Sequence, residues 1–303
     1  MTYSIVAVDP DTGDLGIAAQ SHFFGVGRLA TWSESGVGAI ATQAFVNVDF
    51  GPDGLAKLRA GVTPGEALDE LLEEDDLREY RQLAVVDAAG RTASHTGALC
   101  VPASGGLRDD GVAVQGNMLA SDAVYEAMLD AYQRAEGTLA DRMLAGMTAA
   151  ERQGGDVRGS QSAVMKVVSG TVSERPWQEV LLDVRVDDHH DPITELARLL
   201  PLHRAFDQLG TVMFAPRLMM GTYTGVSRDE LESALDSLSR AREVLGDNLE
   251  AAFWQAVLLA RAGRTEEAKA LFVEIFARRE RLRDFLTAIS TVGFLDGASE
   301  FLS

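Results

Sequence analysis

A hydrophobic segment with the two-residue period of a β-strand begins at residue 3, and this pattern constrains the fold more than any other feature of the sequence. Odd-numbered residues 3–9 fall on one face of an extended segment and even-numbered residues 4–8 fall on the other. The sequence DPDTGD at residues 9–14 is typical of a tight turn, and residues 15–20 form a returning strand. We therefore predict that the amino-terminal segment is paired inside a sheet.

The hydrophobic period then alternates between values typical of strands and of helices. Four strands are predicted in the first 45 residues, followed by two helices, three strands, two helices and two strands. The predicted strands are 3–9, 15–20, 29–33, 37–43, 82–86, 92–96, 111–115, 162–169 and 178–186, and the predicted helices are 54–60, 63–72, 121–135 and 139–153. Sheets that each carry a helical pair predict an α+β fold, a four-layer α/β/β/α sandwich over residues 1–200.

Residues 201–303 are predicted to form a small all-α appendage. Residues 203–220 are apolar but ambiguous, whereas everything after residue 227 has helical spacing. The helices predicted at 247–261 and from residue 265 onward resemble one tetratricopeptide-type pair. One such pair does not bury its apolar face alone, so we expect residues 227–303 to pack on the main domain, a second copy or a protein partner.

Charge and cysteine content exclude several classes of function. A net charge of −19 argues against nucleic acid and anionic membranes as partners. No apolar run approaches the roughly 18 residues that span a bilayer. The single cysteine, Cys100, forms no internal disulfide, which favours a reducing cytoplasm. The glycines at 25 and 27 lack the following helix and acidic residue of a dinucleotide site, so no cofactor is expected.

Thr2 is a candidate nucleophile. Its small side chain favours removal of Met1, and Thr2 would then carry a hydroxyl and a free α-amine on one residue. An α-amine has a reference pKa of about 7.7–8.0, so it serves as a general base near neutral pH. This is the chemistry of N-terminal-nucleophile (Ntn) hydrolases. The alternative is that Thr2 simply opens a strand.

Two other clusters of polar residues have chemically suggestive compositions. The sequence DDHHD at residues 187–191 contains metal-ligand residue types, but it ends a predicted strand before Pro192, where a solvated turn is the favoured interpretation and no metal is expected. The pairs at residues 21–22 and 94–95 place a serine beside a histidine, yet neighbours in a strand face opposite sides. No Gly-x-Ser-x-Gly nucleophile elbow is present.

Several polar motifs carry a resemblance to a known family. They are TYSIVA (2–7), GVGAIATQA (36–44), AVQGNML (113–119), GDVRGSQSA (155–163) and VRVDDH (184–189). With these motifs, the first 190 or so residues resemble the domain-of-unknown-function 1028 (DUF1028) family. The resemblance implies an Ntn-hydrolase-like fold. A more distant similarity, in strand and helix order, is to the proteasome and its bacterial relatives.

The distant similarity implies a role for each candidate residue. Thr2 would be the nucleophile, Gln43 and Ala44 would supply oxyanion donors, and Asn117 and Asp156 would lie beside the amine. The predicted substrate-binding residues are Ser21, His22, Ala44, Gly116, Arg158, Ser160 and Gln161. Apart from the similarity, the loop after the second strand predicts His22 as a pocket wall, and Arg158 and Gln161 are predicted to hold a carboxylate or amide of a ligand or, equally, to make structural hydrogen bonds at a strand start. Two departures argue against proteasome-type proteolysis: residues 28–33 contain no lysine, and Gln20 stands where those relatives have an aspartate.

The sequence thus predicts an amidohydrolase that cleaves a C–N bond of a small-molecule metabolite with Thr2, without cofactor or metal. The rival interpretation is a non-catalytic binding or scaffold protein that contacts partners through residues 227–303. The oligomeric state, including a homo-oligomer, stays open.

Overall fold

The computed structural model describes residues 2–302 and has a mixed α+β fold. The chain divides into two compact units, Met1–Leu199 and Leu200–Ser303. The first unit contains two antiparallel sheets, and the second is helical. The mixed α+β class predicted from the sequence is confirmed.

Ten strands lie in the first unit, within the described residues. They are β1 (Thr2–Val8), β2 (Leu15–Ser21), β3 (Thr31–Glu34), β4 (Gly38–Ala44), β5 (Arg81–Asp87), β6 (Thr92–Thr96), β7 (Gly105–Asp109), β8 (Val112–Asn117), β9 (Ser162–Val168) and β10 (Val180–Val186). One sheet has the order β10-β9-β2-β1-β8-β7 and the other β3-β4-β5-β6. The amino-terminal strand is central in the larger sheet, between β2 and β8, as the alternation predicted.

Ten α-helices accompany these strands in the described chain. They are α1 (Gly27–Ala30), α2 (Phe50–Arg59), α3 (Pro64–Glu73), α4 (Ala123–Arg134), α5 (Leu139–Arg152), α6 (Pro192–Met213), α7 (Arg228–Leu245), α8 (Glu250–Arg261), α9 (Thr265–Arg278) and α10 (Leu282–Thr291). Helices α4 and α5 cover the larger sheet, whereas α2 and α3 cover the smaller one.

The two sheets face each other across a core of small and β-branched side chains. Val6 and Ile17 of the larger sheet pack there against Ala39 and Ala84 of the smaller sheet, and all four are fully buried. Alanines on the inner faces allow close approach of the sheets. The layers are therefore α/β/β/α, and the even-numbered residues of β1 face the space between the sheets.

Two predicted local structures were wrong. Residues 105–109 form an edge strand that the sequence did not indicate, because the segment GGLRD is glycine-rich, largely exposed and lacks apolar alternation. Its pairing with β8 is what makes it a strand. The strand predicted from residue 29 begins only at Thr31, since residues 27–30 form the short helix α1, with Val26 and Ala30 buried.

The second unit has its own aromatic core. Phe253 lies 5.6 Å from Trp254 and 5.9 Å from Phe272, measured between ring centroids. Arg261 donates to the main-chain carbonyls of Leu218 and Phe294. The ambiguous residues 203–213 belong to α6. Over residues 2–302, no helix combines the length and apolarity needed to cross a membrane.

Gly51 provides a test of the packing between α2 and β3. It is buried within α2, and a Cβ added there would overlap the indole ring of Trp32. Gly51→Ala should therefore lower the free energy of unfolding by about 1–3 kcal/mol, although alanine is the better helix former. Gly65→Ala in α3, where an added Cβ meets nothing within 4 Å, should raise it by up to about 1 kcal/mol. Urea denaturation of both variants measures these changes. If both variants changed the free energy of unfolding in the same direction, the close packing of Gly51 on Trp32 would be contradicted.

Candidate functional site

Thr2 lies at the start of β1, at one end of the space between the sheets. Its Cα pairs with Ser21 at the end of β2 and with Asn117 at the end of β8. The Thr2 Oγ1 donates to Ser21 Oγ at 3.1 Å, and Thr2 is only 6% exposed. Antiparallel pairing thus brings one strand start and two strand ends to the same place. Met1, whose removal we predict, lies outside the described residues.

Gln43 at the end of β4 holds the main chain of Thr2. Its Nε2 donates to the Thr2 carbonyl at 3.1 Å and to Gln82 Oε1 at 2.8 Å. Its Oε1 accepts from Ser4 Oγ at 2.7 Å. Gln43 therefore connects the two sheets through its side chain at the candidate nucleophile. The oxyanion role that we predict for Gln43 concerns its main-chain N–H and stays a prediction; these side-chain contacts add a positioning role.

Gln82 on β5 is the centre of this buried network. Its Oε1 accepts from Asn117 Nδ2 at 2.9 Å as well as from Gln43. Its Nε2 lies 3.0 Å from Thr96 Oγ1, 3.1 Å from the Gly105 carbonyl and 2.8 Å from the Gly116 carbonyl. Two amide hydrogens share these three acceptors. The Asn117 side chain thus points to Gln82, and its Oδ1 has no hydrogen-bond partner among residues 2–302.

Ser4, Gln82 and Gln115 also belong to this network, although none of them is a predicted site residue. All three are fully buried, and Gln115 Nε2 lies 3.4 Å from Ser4 Oγ. One signal was present in the sequence, because Gln82 directly precedes the buried apolar residues 83–86 of β5 and Gln115 directly follows the buried apolar residues 112–114 of β8. A buried amide requires partners, and these come from other strands.

Asp156 orders the loop that approaches Thr2. Its Oδ2 accepts from the His22 main-chain N–H at 3.0 Å and from the Arg158 guanidinium at 3.3 Å. Its Oδ1 accepts from the Arg158 main-chain N–H at 2.8 Å. The side chain is fully buried. These contacts tie the loop before β9 to the loop after β2 and fix the position of Arg158.

A cavity of about 120 Å³ opens beside Thr2. Five of the predicted residues line it: Thr2, Ser21, Gln43, Ala44 and Arg158. The remaining lining residues, which the sequence did not single out, are Phe23, Val26, Leu29, Ala30, Thr42 and Val46. Ala44 has φ of 66°, in the left-handed region, where the chain turns out of β4 along the cavity.

The other predicted residues do not line this cavity. The His22 side chain is exposed, and Phe23 occupies the wall that we predicted for it. Gly116 faces the helical layer, where an added Cβ would meet Leu119. Ser160 Oγ donates to Glu151 Oε1 at 2.5 Å, and Gln161 Nε2 donates to Asp188 Oδ1 at 3.1 Å. Ser160 and Gln161 therefore face Glu151 and Asp188 rather than the cavity, although Arg158 of the same loop lines it. Asn117 and Asp156 also do not line the cavity, but Asn117 pairs with Thr2 and Asp156 binds Arg158.

Tyr3 is buried on the opposite face of β1. Its hydroxyl donates to Glu151 Oε2 at 2.5 Å. Burial, with the adjacent Glu151 carboxylate, raises the pKa of the Tyr3 phenol well above its usual range. Glu151 also accepts from Ser160, so this carboxylate ties the strand of Thr2 to the loop that carries Asp156.

Tyr3 should make stability depend on alkaline pH. The unfolded phenol ionises above about pH 10, whereas the native phenol stays protonated, so the unfolded state binds fewer protons. This contribution is complete below the unfolded pKa and is lost as the pH rises through the folded pKa. Tyr3→Phe should therefore show a smaller fall in unfolding free energy between about pH 8 and pH 10.5 than the unaltered chain. Urea denaturation at both pH values measures this; equal falls would be evidence against it.

A larger cavity of about 510 Å³ lies at the other end of β1, near Val8 and Asp9. Arg142 at this cavity contacts the Tyr132 hydroxyl and lies 3.7 Å from Asp9 Oδ2. The cavity shares no lining residue with the one beside Thr2. We place the candidate site at Thr2, because the buried polar side chains of several strands converge there.

In the acidic and histidine-rich segment at residues 187–191, two side chains accept hydrogen bonds from main-chain N–H groups, one of them in the first turn of α6. His189 Nδ1 accepts from the Asp191 N–H at 3.1 Å, and Asp191 Oδ1 accepts from the Thr194 N–H at 3.2 Å. Across residues 2–302, no group of three or more histidine, cysteine or acidic side chains has an arrangement that could hold a metal.

Comparisons with known proteins match the first unit. The model of the "Family of unknown function (DUF1028)" matches residues 2–196. The crystal structure of protein SPO2555 from Silicibacter pomeroyi, assigned to the same family model, is 31% identical and superposes with a TM-score of 0.60, covering 69% of this chain and 89% of that chain. Anbu (ancestral β-subunit) from Yersinia bercovieri gives 11% identity and a TM-score of 0.34, covering 66% of this chain and 93% of its own, which is too weak to carry an argument. Comparison with curated proteins gives no match.

Proposed function

The chain belongs to the DUF1028 family, a family of unknown function, and from its site we propose an Ntn hydrolase that cleaves an amide (C–N) bond of a small molecule with Thr2. The proposal requires removal of Met1, which exposes the α-amine. We place the reaction in the cytoplasm, where the single thiol, Cys100, stays reduced.

One observation carries the proposal. Thr2 lines a small cavity, and it is held by two hydrogen bonds, from its Oγ1 to the Ser21 hydroxyl at 3.1 Å and from Gln43 Nε2 to its carbonyl at 3.1 Å. A threonine that merely opens a strand needs neither a cavity nor an inter-sheet clamp on its carbonyl. Preorganisation of this kind is what a nucleophile requires.

The proposed reaction has two steps. Thr2 Oγ1 attacks the amide carbonyl while the α-amine takes its proton, and that proton passes to the departing nitrogen as the C–N bond breaks. The acyl group is then an ester on Thr2. Water, deprotonated by the same amine, attacks the ester, and the carboxylic acid leaves as Thr2 recovers its hydroxyl proton.

Positive charge near Thr2 comes from arginine. Arg158 lines the cavity and is held by Asp156. A guanidinium does not accept a proton, so it stabilises negative charge without acting as the base. The α-amine of Thr2 is therefore the base in this proposal, and the lysine of proteasome-type sites is not required.

Intact mass measurement followed by acylation tests the proposal. The purified, untagged protein should lack the mass of one methionine. Incubation with a β-lactone, whose strained ester acylates hydroxyl nucleophiles, should then add one probe mass, which peptide mapping should place on Thr2. Opening the ring leaves no second product, so the added mass equals that of the lactone.

A retained Met1 in protein from the native host would block the amine and contradict the proposal. In that case the better proposal is a binding protein whose residues 227–303 contact a partner. Labelling at a residue other than Thr2 would also contradict the proposed nucleophile.

A further inference from the structure

We infer that the cavity beside Thr2 selects amides in which a short branched aliphatic acyl group is joined to an amine that carries a carboxylate. This inference rests on the proposed function, since it takes Thr2 to be the nucleophile. It adds a substrate class, which is argued from the size of the cavity, the apolar side chains of its wall and its charge.

The apolar wall limits the acyl group. Val26, Leu29 and Ala30 come from α1 and the residue before it, and Val46 follows β4. Val26 and Ala30 are each 4% exposed, so this wall is part of the core. An apolar cavity of about 150 Å³ holds benzene. At about 120 Å³, this cavity accommodates a saturated group of roughly four carbons, and an aryl group overfills it.

The charge of the cavity selects the other half of the substrate. Arg158 is the charged residue among those that line the cavity, and it comes from the loop before β9 rather than from the apolar wall. Its guanidinium is a planar fork of N–H donors that is positioned by the contact with Asp156 at 3.3 Å. Bidentate pairing with a carboxylate is the geometry that such a fork favours. Asp156, the ion-pair partner of Arg158, does not line the cavity, so the guanidinium is the charged group that the cavity presents to a ligand.

The two halves of the substrate therefore contact different segments. The acyl group lies against α1 and the residues after β4, and the carboxylate lies at the loop held by Asp156. The scissile carbonyl lies between them at Thr2 Oγ1. Phe23 lines the cavity and is 54% exposed, so its ring is placed to shield a substrate from solvent.

Three model amides test the inference on the full chain with Met1 removed. N-isovaleryl-glycine has both features, N-phenylacetyl-glycine has an oversized acyl group, and N-isovaleryl-glycinamide lacks the carboxylate. Release of glycine or glycinamide gives kcat/KM. We expect N-isovaleryl-glycine to exceed each of the others by about tenfold or more.

Cavity variants assign the preference to named residues. Leu29→Ala, and independently Val46→Ala, should lower the isovaleryl-over-phenylacetyl ratio by about tenfold, because each enlarges the apolar wall. Arg158→Gln should bring the glycine-over-glycinamide ratio close to one. Leu107→Ala on the edge strand β7 is the matched control and should keep both ratios, since Leu107 does not line the cavity and is 38% exposed.

The possible outcomes separate this inference from the proposed function. If β-lactone labels Thr2 but phenylacetyl amides are preferred, the variants leave the ratios unchanged, or none of the three amides is hydrolysed, the substrate class is wrong and the nucleophile stands. If Thr2 is not labelled, the proposed function fails and the inference fails with it.

Discussion

Replacing Thr2 by alanine should reduce β-lactone labelling and amide hydrolysis by on the order of 10³-fold or more, because the variant has no hydroxyl to form the ester. Thr2→Ser keeps the hydroxyl and the amine and should retain both activities. The rate should fall as the pH drops below the α-amine pKa, whose reference value is about 7.7–8.0, since the protonated amine accepts no proton. Intact mass spectrometry and initial rates measure these effects.

The matched control for this change is Thr171→Ala, at an exposed position in the loop after β9. This variant should be labelled by β-lactone and should hydrolyse amides at the same rate as the unaltered chain. Each variant is first checked for the mass that shows Met1 removal, because alanine and serine also favour that removal. A Thr2→Ala protein that lacks Met1, is folded and still turns over an amide at the full rate would exclude Thr2 as the nucleophile.

Replacing Gln82 by methionine should lower the free energy of unfolding by about 3–5 kcal/mol, the largest stability effect that we expect. Methionine nearly fills the same volume but accepts no hydrogen bond from Gln43 or Asn117. It also donates nothing to the carbonyls of Gly105 and Gly116. Each polar group left buried without a partner costs about 1–3 kcal/mol.

The effect should extend to Thr2. Gln43 holds the Thr2 carbonyl and is itself held by Gln82, so Gln82→Met should also slow labelling of Thr2. Gln178→Met, at an exposed position before β10, is the matched control and should change the unfolding free energy by less than about 0.5 kcal/mol. Urea denaturation decides the matter: a loss below about 1 kcal/mol for Gln82→Met would show that the network contributes little.

Local periodicity in the sequence predicted most of the strands and helices of the fold. The alternation around Tyr3 predicted β1, and Thr63 before Pro64 predicted the start of α3, which the structure forms with a capping box. These signals are local because side chains alternate along a strand and recur every three to four residues along a helix. The edge strand β7 has no such signal, since an exposed strand gains its order from the neighbour with which it pairs.

The features of the candidate site also divide into those that local sequence predicts and those that tertiary packing sets. The sequence by itself determined that a threonine opens a buried strand and that polar residues lie near the ends of apolar strands at Gln43 and Gln82. Only the tertiary structure decided that these amides meet, that Asp156 holds Arg158, and that an apolar cavity lies beside Thr2. The physical reason is that strand register and sheet packing are set by contacts between residues distant in the chain, which no local pattern encodes.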